Sequence, residues 1–187
     1  MNMRIKISFI LAVLLLAAGC KEKKAEQFTA LPFPDVQLPS RIRGQQEALE
    51  YMAVNYWNGM TDPSRRNYPS DSLLASGVRR GDVEQKFADW TSIMEYAGNG
   101  IWSNAVGNLY DRALACERKD TASQVFETFV DLFHKYYYDP NSPMRNEDVY
   151  YHFVSRYASY EGLSDVLRSK YEREARLCAL NSIGTKA

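Results

Sequence analysis

Apolar residues recur at three- and four-residue steps along most of the chain after residue 40, which is the period of amphipathic α-helices. No long stretch alternates with a period of two, as the sequence of a half-buried strand would. The helical period predicts six helices, near 41–58, 83–97, 102–116, 125–136, 146–157 and 164–180. The predicted fold class is all-α, with about six antiparallel helices in a bundle or in stacked helix pairs.

Several of the predicted helices have residues at their ends that favour starting or stopping there. Ser40 is a candidate N-cap of the first helix, and Asp82 with Gln85 has the spacing of a capping box at the second. Asn146 is placed to cap the fifth helix. The fourth is expected to stop before Pro140, because proline disfavours the helical conformation in the residue that precedes it.

The connection at residues 61–81 is long for a helical bundle. We expect a short helix from Ser70 to Ser76 within it, ended by Gly77, since glycine commonly follows the last turn of a helix. The other connections are short, which favours neighbouring helices that run antiparallel.

The N-terminus has the pattern of a lipoprotein signal. Arg4 and Lys6 precede an apolar run that closes with Leu16-Ala17-Ala18-Gly19-Cys20. A basic start, a short apolar core and small residues before the cut are typical of secretory signals, and a cysteine at the cut makes the motif a lipobox. The run is too short to span a bilayer.

We predict that residues 1–19 are a signal peptide and that Cys20 is lipidated. The protein would then be held in the cell envelope, on the periplasmic side or at the outer-membrane surface.

Residues 20–40 are predicted to be the lipidated cysteine with a tether, and residues 41–187 the helical domain. The tether begins with charged residues, lacks a helical period and holds three prolines, Pro32, Pro34 and Pro39. Its second half could still lie against the domain through its apolar residues, which are Phe28, Leu31, Phe33 and Val36.

The composition limits the classes of partner. The 187-residue chain has a net charge of zero, and removing residues 1–19 leaves −2 because that segment holds two basic and no acidic residues. There is no basic excess to bind nucleic acid.

The 13 Tyr, eight Phe and three Trp can supply a sizeable core. The helical stripes place five of them inside: Trp57, Phe87, Trp90, Phe129 and Phe133.

No group of residues indicates catalysis, a cofactor or a metal. Cys116 and Cys178 do not form a redox motif, and we expect them to pack as separate thiols, with a disulfide between them as the alternative. His134 and His152 each follow an aspartate by three or four residues. The further glutamate ligands of a carboxylate metal site are missing, so both histidines are expected to be ordinary surface or core residues.

The tyrosine clusters and the loop at 139–147 are the candidate binding features. Adjacent residues on a helix point about 100° apart, so the rings at 136–138 and 150–151 cannot all enter one core. The candidate binding residues are Tyr138, Asn141, Arg145 and Tyr151. The alternative, which we favour, is a structural staple in which two prolines fix the path of the loop and Asn146 caps the next helix.

Four stretches of the sequence are similar to a known family: Phe33-Pro34, Tyr56-Trp57, the Asn-Ser-Pro-x-Arg-Asn-Glu loop at 141–147, and the ending at 178–187. Over roughly residues 31–187 the chain resembles the uncharacterised helical domain that precedes a thioredoxin-like domain in envelope lipoproteins of Gram-negative anaerobes. The resemblance implies a helical fold and a setting among thiol-disulfide lipoproteins. It supplies no catalytic residue.

The prediction for function is a non-enzymatic lipoprotein that is attached to a membrane through its lipid. Its helical domain would serve as an interaction or positioning module, with a thioredoxin-like domain or another envelope protein as partner. The first alternative is a glycan- or peptide-binding lipoprotein that uses the tyrosine-rich loop edges. The second is an enzyme, which would require an acid and a base that converge in a pocket.

Overall fold

The computed structural model describes residues 29–182, and the protein is predominantly helical over this range. Six α-helices follow one another: α1 (Gln45–Asn55), α2 (Arg80–Ala97), α3 (Trp102–Lys119), α4 (Val125–Phe133), α5 (Glu147–Tyr157) and α6 (Asp165–Ser182). The strands β1 (Leu74–Ala75) and β2 (Val78–Arg79) form one small sheet before α2. The predicted all-α fold class is therefore confirmed. The signal sequence with Cys20 and the last five residues lie outside the described residues.

The first two helices start elsewhere than the cap signals predict. The amide of Ile42 donates to the carbonyl of Pro39 at 3.0 Å, so Ser40 lies in a turn and α1 begins only after Gly44. β2 leads directly into α2, which begins at Arg80, so Asp82 lies inside the first helical turn and caps nothing. Both predicted N-caps were wrong. Asp82 is still well placed there, because a negative charge in the first turn favours the helix dipole.

The predicted short helix at 70–76 is wrong, because that segment forms a hairpin. Leu74 pairs with Arg79 and Ala75 with Val78 in antiparallel register. Ser76 and Gly77 turn the chain with φ values of 45° and 79°. Two successive positive φ angles are typical of the tight turns that match the twist of a hairpin. A Cβ on Gly77 would lie 2.8 Å from the Cβ of Tyr68, so the close approach also requires glycine.

Residues 29–36, which we name the strap, pack against the domain. The amide of Leu31 donates to the carbonyl of Gly77 at 2.8 Å. The ring of Phe33 lies 5.5 Å from that of Trp57, edge to face. Lys86 pairs with Asp35 at 3.2 Å. Leu31, Phe33 and Val36 are half-buried, in agreement with the apolar pattern of this segment, while Phe28 lies outside the described residues.

Aromatic rings fill the centre of the molecule. The five residues predicted for the core are all buried, which confirms that prediction: Trp57, Phe87, Trp90, Phe129 and Phe133. Trp57 lies at the centre of these rings: its ring centroid is 4.8 Å from that of Phe129 and 6.2 Å from that of Trp90. The helix α3 packs on α1, α4 and α5, and α6 closes the fold chiefly against α5. Between residues 29 and 182, no helix is both long and apolar enough to cross a bilayer.

Candidate functional site

The loop at 139–147 begins where α4 widens into a π turn over His134–Tyr138. The amide of Asp139 donates to the carbonyl of His134 at 2.9 Å and closes this turn, after which Pro140 prevents further helix. At the other end, the side chain of Asn146 accepts from the amides of Asp148 and Val149, each at 3.2 Å. The predicted helix stop and the predicted Asn146 cap are confirmed.

Hydrogen bonds within the loop hold its backbone in place. The carboxylate of Asp139 accepts from the amide of Asn141 at 2.8 Å and from its side chain at 3.2 Å. The hydroxyl of Ser142 donates to the carbonyl of Tyr136, and the amide of Asn146 donates to the carbonyl of Tyr137 at 3.0 Å. The hydrogen bonds of Asn141 therefore hold the loop itself, which supports the interpretation of the loop as a structural staple.

Tyr138 lies face to face with Tyr150, with ring centroids 4.6 Å apart and an interplanar angle of 22°. The hydroxyl of Tyr150 donates to the buried carboxylate of Glu174 at 2.8 Å. Burial, followed by the charge of Glu174, raises the pKa of the Tyr150 phenol far above its usual range. The phenol of Tyr150 therefore stays uncharged, and the tyrosine pair has a structural role: it joins the π turn to α5 and α6.

Arg145 also points to a structural partner, because it forms an ion pair with Glu147. The other oxygen of Glu147 accepts from the side chain of Asn181 at 2.5 Å. The hydrogen bond from Asn181 has the larger effect, and together with the ion pair to Arg145 it holds the pKa of Glu147 below its usual range. The loop is thus connected to the C-terminal turn of α6.

The four candidate binding residues do not form one site. Asn141 lines a hollow of about 340 Å³ beside Tyr136 and Met144, and Arg145 lines a neighbouring one of about 270 Å³. Tyr151 lies apart from both, in a shallow groove of about 300 Å³ between α5 and α6.

The rings at 136–138 are largely occupied. Tyr137 is buried, and burial raises the pKa of its phenol well above the ordinary value. Tyr136 is half-buried and its hydroxyl donates to Glu84 at 3.3 Å. With Tyr138 stacked on Tyr150, the loop does not present the open aromatic surface that glycan binding would use.

The thiols and histidines show no reactive arrangement. Cys116 and Cys178 are buried, and no disulfide joins them. Burial raises the pKa of the Cys116 thiol and raises that of Cys178 to about 12, and both shifts disfavour the thiolate that disulfide exchange needs. Burial lowers the pKa of His152. Among residues 29–182, no three histidine, cysteine or acidic side chains come together as metal ligands.

The outward side of α6 exposes apolar side chains. Leu177 is 47% exposed, Leu180 is 66% exposed, and Val166 lies exposed near the start of the helix. The three-residue step from Leu177 to Leu180 places them on neighbouring positions of one face. This pair, which we name the α6 patch, lies near the C-terminal end of the last described helix.

Comparison with other proteins identifies the family. The family model for a domain of unknown function, DUF5106, matches residues 17–181. The chain belongs to this family. The fold is similar to that of a solved thioredoxin-like protein from Bacteroides caccae, with 26% identity and a TM-score of 0.64. No curated protein matched the DUF5106 chain.

The match covers 85% of this chain but only 52% of the Bacteroides caccae protein, so the DUF5106 chain spans about half of its neighbour's length. The matched fold is helical, with one two-stranded sheet among residues 29–182. The DUF5106 chain is thus an uncharacterised domain related to a thioredoxin-like protein.

Proposed function

We propose that the chain is a membrane-anchored lipoprotein whose helical domain positions a thioredoxin-like domain without catalysing a reaction itself. One observation carries this proposal: the helical domain matches about half of a protein described as thioredoxin-like. The helical fold seen here has no extensive sheet in its described part. The thioredoxin-like character of the neighbour is therefore expected to lie in the half that this chain does not cover.

The α6 patch is the surface proposed to contact that partner. Leu177 and Leu180 are large apolar residues at the end of a helix that packs chiefly on α5. Apolar side chains surrounded by charged ones are typical of modest protein interfaces, and Arg173 and Arg176 flank the patch on the same helix. The Tyr151 groove runs between α5 and α6 beside it.

The non-catalytic part of the proposal is supported by the state of the polar groups. A raised thiol pKa at Cys116 and Cys178 disfavours the thiolate that attacks disulfides. The carboxylates of Glu174 and Glu147 accept hydrogen bonds from Tyr150 and from Asn181, respectively, so they already have partners within the domain. The attachment to a membrane rests on the lipobox at Cys20.

The alternative of glycan or peptide binding has weaker support. Sugar rings stack on exposed aromatic faces, whereas Tyr138 and Tyr150 occupy each other's faces and Tyr137 is buried. The hollow beside Tyr136 is lined by a single aromatic ring, which is itself half-buried. The positioning function is therefore the one we advance.

The test measures binding of the mature chain to the half of the Bacteroides caccae protein that it does not match. Leu177→Asp should weaken this binding by about tenfold or more, because it places a charge in an apolar contact. Leu73→Asp is the matched control, since Leu73 is 72% exposed but lies beside the hairpin. Absence of binding, or equal loss in both variants, would contradict the proposal. In an insulin-reduction assay the chain should show no activity.

A further inference from the structure

We infer that a cleft beside the hairpin is a binding site for a phosphate-class oxyanion. The cleft lies between the segment 62–70, the turn at Ser76 and the C-terminal end of α3. Its volume is about 300 Å³, which is enough for a small ligand. Three cationic side chains, Arg65, Arg66 and Lys119, line it.

None of these three cations forms an ion pair with a carboxylate of the described residues; their side chains donate to backbone carbonyls. Arg65 donates to the carbonyl of Ser76 at 3.0 Å, and Arg66 donates to that of Pro63 at 2.7 Å. Lys119 donates to the same carbonyl of Pro63. Other cations of the domain do form ion pairs, such as Arg118 with Glu161, Lys135 with Glu84 and Arg156 with Asp111.

The two carboxylates of the cleft already serve the local backbone. Asp62 accepts from the amide of Ser64 at 2.7 Å, a bond that, with the nearby arginines, lowers the pKa of Asp62. Asp120 accepts from the hydroxyl of Tyr68 at 2.5 Å and from the amide of Ala122 at 3.0 Å. Three cations against two bonded carboxylates leave the cleft positive in a chain of zero net charge.

The walls of the cleft are held in position before any ligand binds. The bond from Tyr68 to Asp120 joins the segment to α3, and the hydroxyl of Ser70 adds a bond to the carbonyl of Ala122 at 3.3 Å. Asn67 turns the chain with a φ of 58°. The buried thiol of Cys116 lines the cleft, and burial keeps its pKa raised, so this part of the wall is neutral.

The geometry favours phosphate over a carboxylate as the ligand group. A tetrahedral oxyanion offers acceptors in several directions, whereas a carboxylate offers them in one plane. Two guanidinium groups on the segment 62–70 and one ammonium group at the end of α3 suit the tetrahedral group better. The phosphate could be free or could belong to a lipid headgroup, and the experiment separates these two sources.

The experiment uses the mature chain with Cys20→Ala, so that lipid on this residue cannot attach the protein to vesicles. Titration calorimetry at low salt measures the binding of inorganic phosphate. Flotation with vesicles that contain phosphatidylglycerol measures the binding of an anionic lipid phosphate, and vesicles of phosphatidylcholine alone are the comparison because choline neutralises their phosphate. Lys119→Gln and Arg66→Gln remove cleft cations whose side chains are exposed, so folding should persist, and unchanged melting verifies it.

The matched control is Arg118→Gln, because Arg118 is the neighbour of Lys119 on α3 but pairs with Glu161. Each cleft variant should weaken the binding of phosphate, or of phosphatidylglycerol vesicles, by about tenfold or more, as expected for a lost charge-assisted bond. Arg118→Gln should change it by less than about twofold. The inference is overturned if neither probe binds up to about 10 mM phosphate, or if Arg118→Gln is as harmful as Lys119→Gln.

Discussion

Phe129→Ala tests the aromatic core most directly, because the ring is fully buried at 0% exposure. Its centroid lies 4.8 Å from that of Trp57 at an angle of 79° and 6.4 Å from that of Phe87. Deleting a buried phenyl ring costs about 3–5 kcal/mol in the free energy of unfolding, and the amount depends on how far the neighbours can collapse into the cavity.

The cost should fall in the upper part of this range. Trp57 is held from its other sides by Phe33 at 5.5 Å, Tyr56 at 5.2 Å and Trp90 at 6.2 Å, so it cannot move far into the space. The edge-to-face contact between Trp57 and Phe129 is also lost. We expect about 4–5 kcal/mol, which for a chain of this size lowers the melting temperature by about 8–20 °C.

Urea unfolding followed by tryptophan fluorescence and by far-ultraviolet circular dichroism measures this quantity. The two signals should give one transition, with the midpoint lowered and the slope unchanged. Leu73→Ala is the control, because its exposed side chain should change the free energy of unfolding by less than about 0.5 kcal/mol. A loss below about 1 kcal/mol for Phe129→Ala would refute the argument that this ring organises the core.

Three further predictions concern other parts of the chain. Asn146→Ala should lower the free energy of unfolding by about 0.5–2 kcal/mol through loss of the cap, while Asn146→Asp, which keeps the acceptor, should melt near the wild type. Cys20→Ala should abolish acyl labelling and release the protein from the membrane fraction, and retention with unchanged labelling would contradict lipidation. Burial and then the nearby Glu127 raise the pKa of Glu117, so stability should fall as pH rises past the ordinary glutamate range. Glu117→Gln should remove this dependence. Its melting temperature relative to the wild type should therefore increase as pH rises above the ordinary glutamate range, and a constant difference would be inconsistent with the prediction.

Local chemistry made part of this structure predictable. Asn146 and Pro140 act through the backbone beside them, so the cap and the helix stop follow from the sequence alone. Burial of Trp57 and Phe129 follows from the apolar period, because a ring on the inner stripe of a helix has no other place.

Other features leave no local signal in the sequence and could not be predicted. The hairpin has strands of two residues, too short for a period to show, and its turn uses a serine with positive φ, where glycine or asparagine is usual. The stacking of Tyr138 on Tyr150 needs the π turn, which adds a residue to the helix without a sequence signal. The cleft joins Arg65 and Arg66 to Lys119, which lies more than fifty positions further along the chain.

The strap also limits the distance between a lipid on Cys20 and the folded domain. Leu31 is fixed to Gly77, so only the eleven steps from Cys20 to Leu31 can separate a lipid on Cys20 from the folded domain. Fully extended, they reach at most about 40 Å. With the lipid in place, the hairpin side of the domain would stay within that distance of the headgroups, whatever the domain's other contacts. The bond between the strap and the hairpin would thus orient this side of the domain towards the membrane.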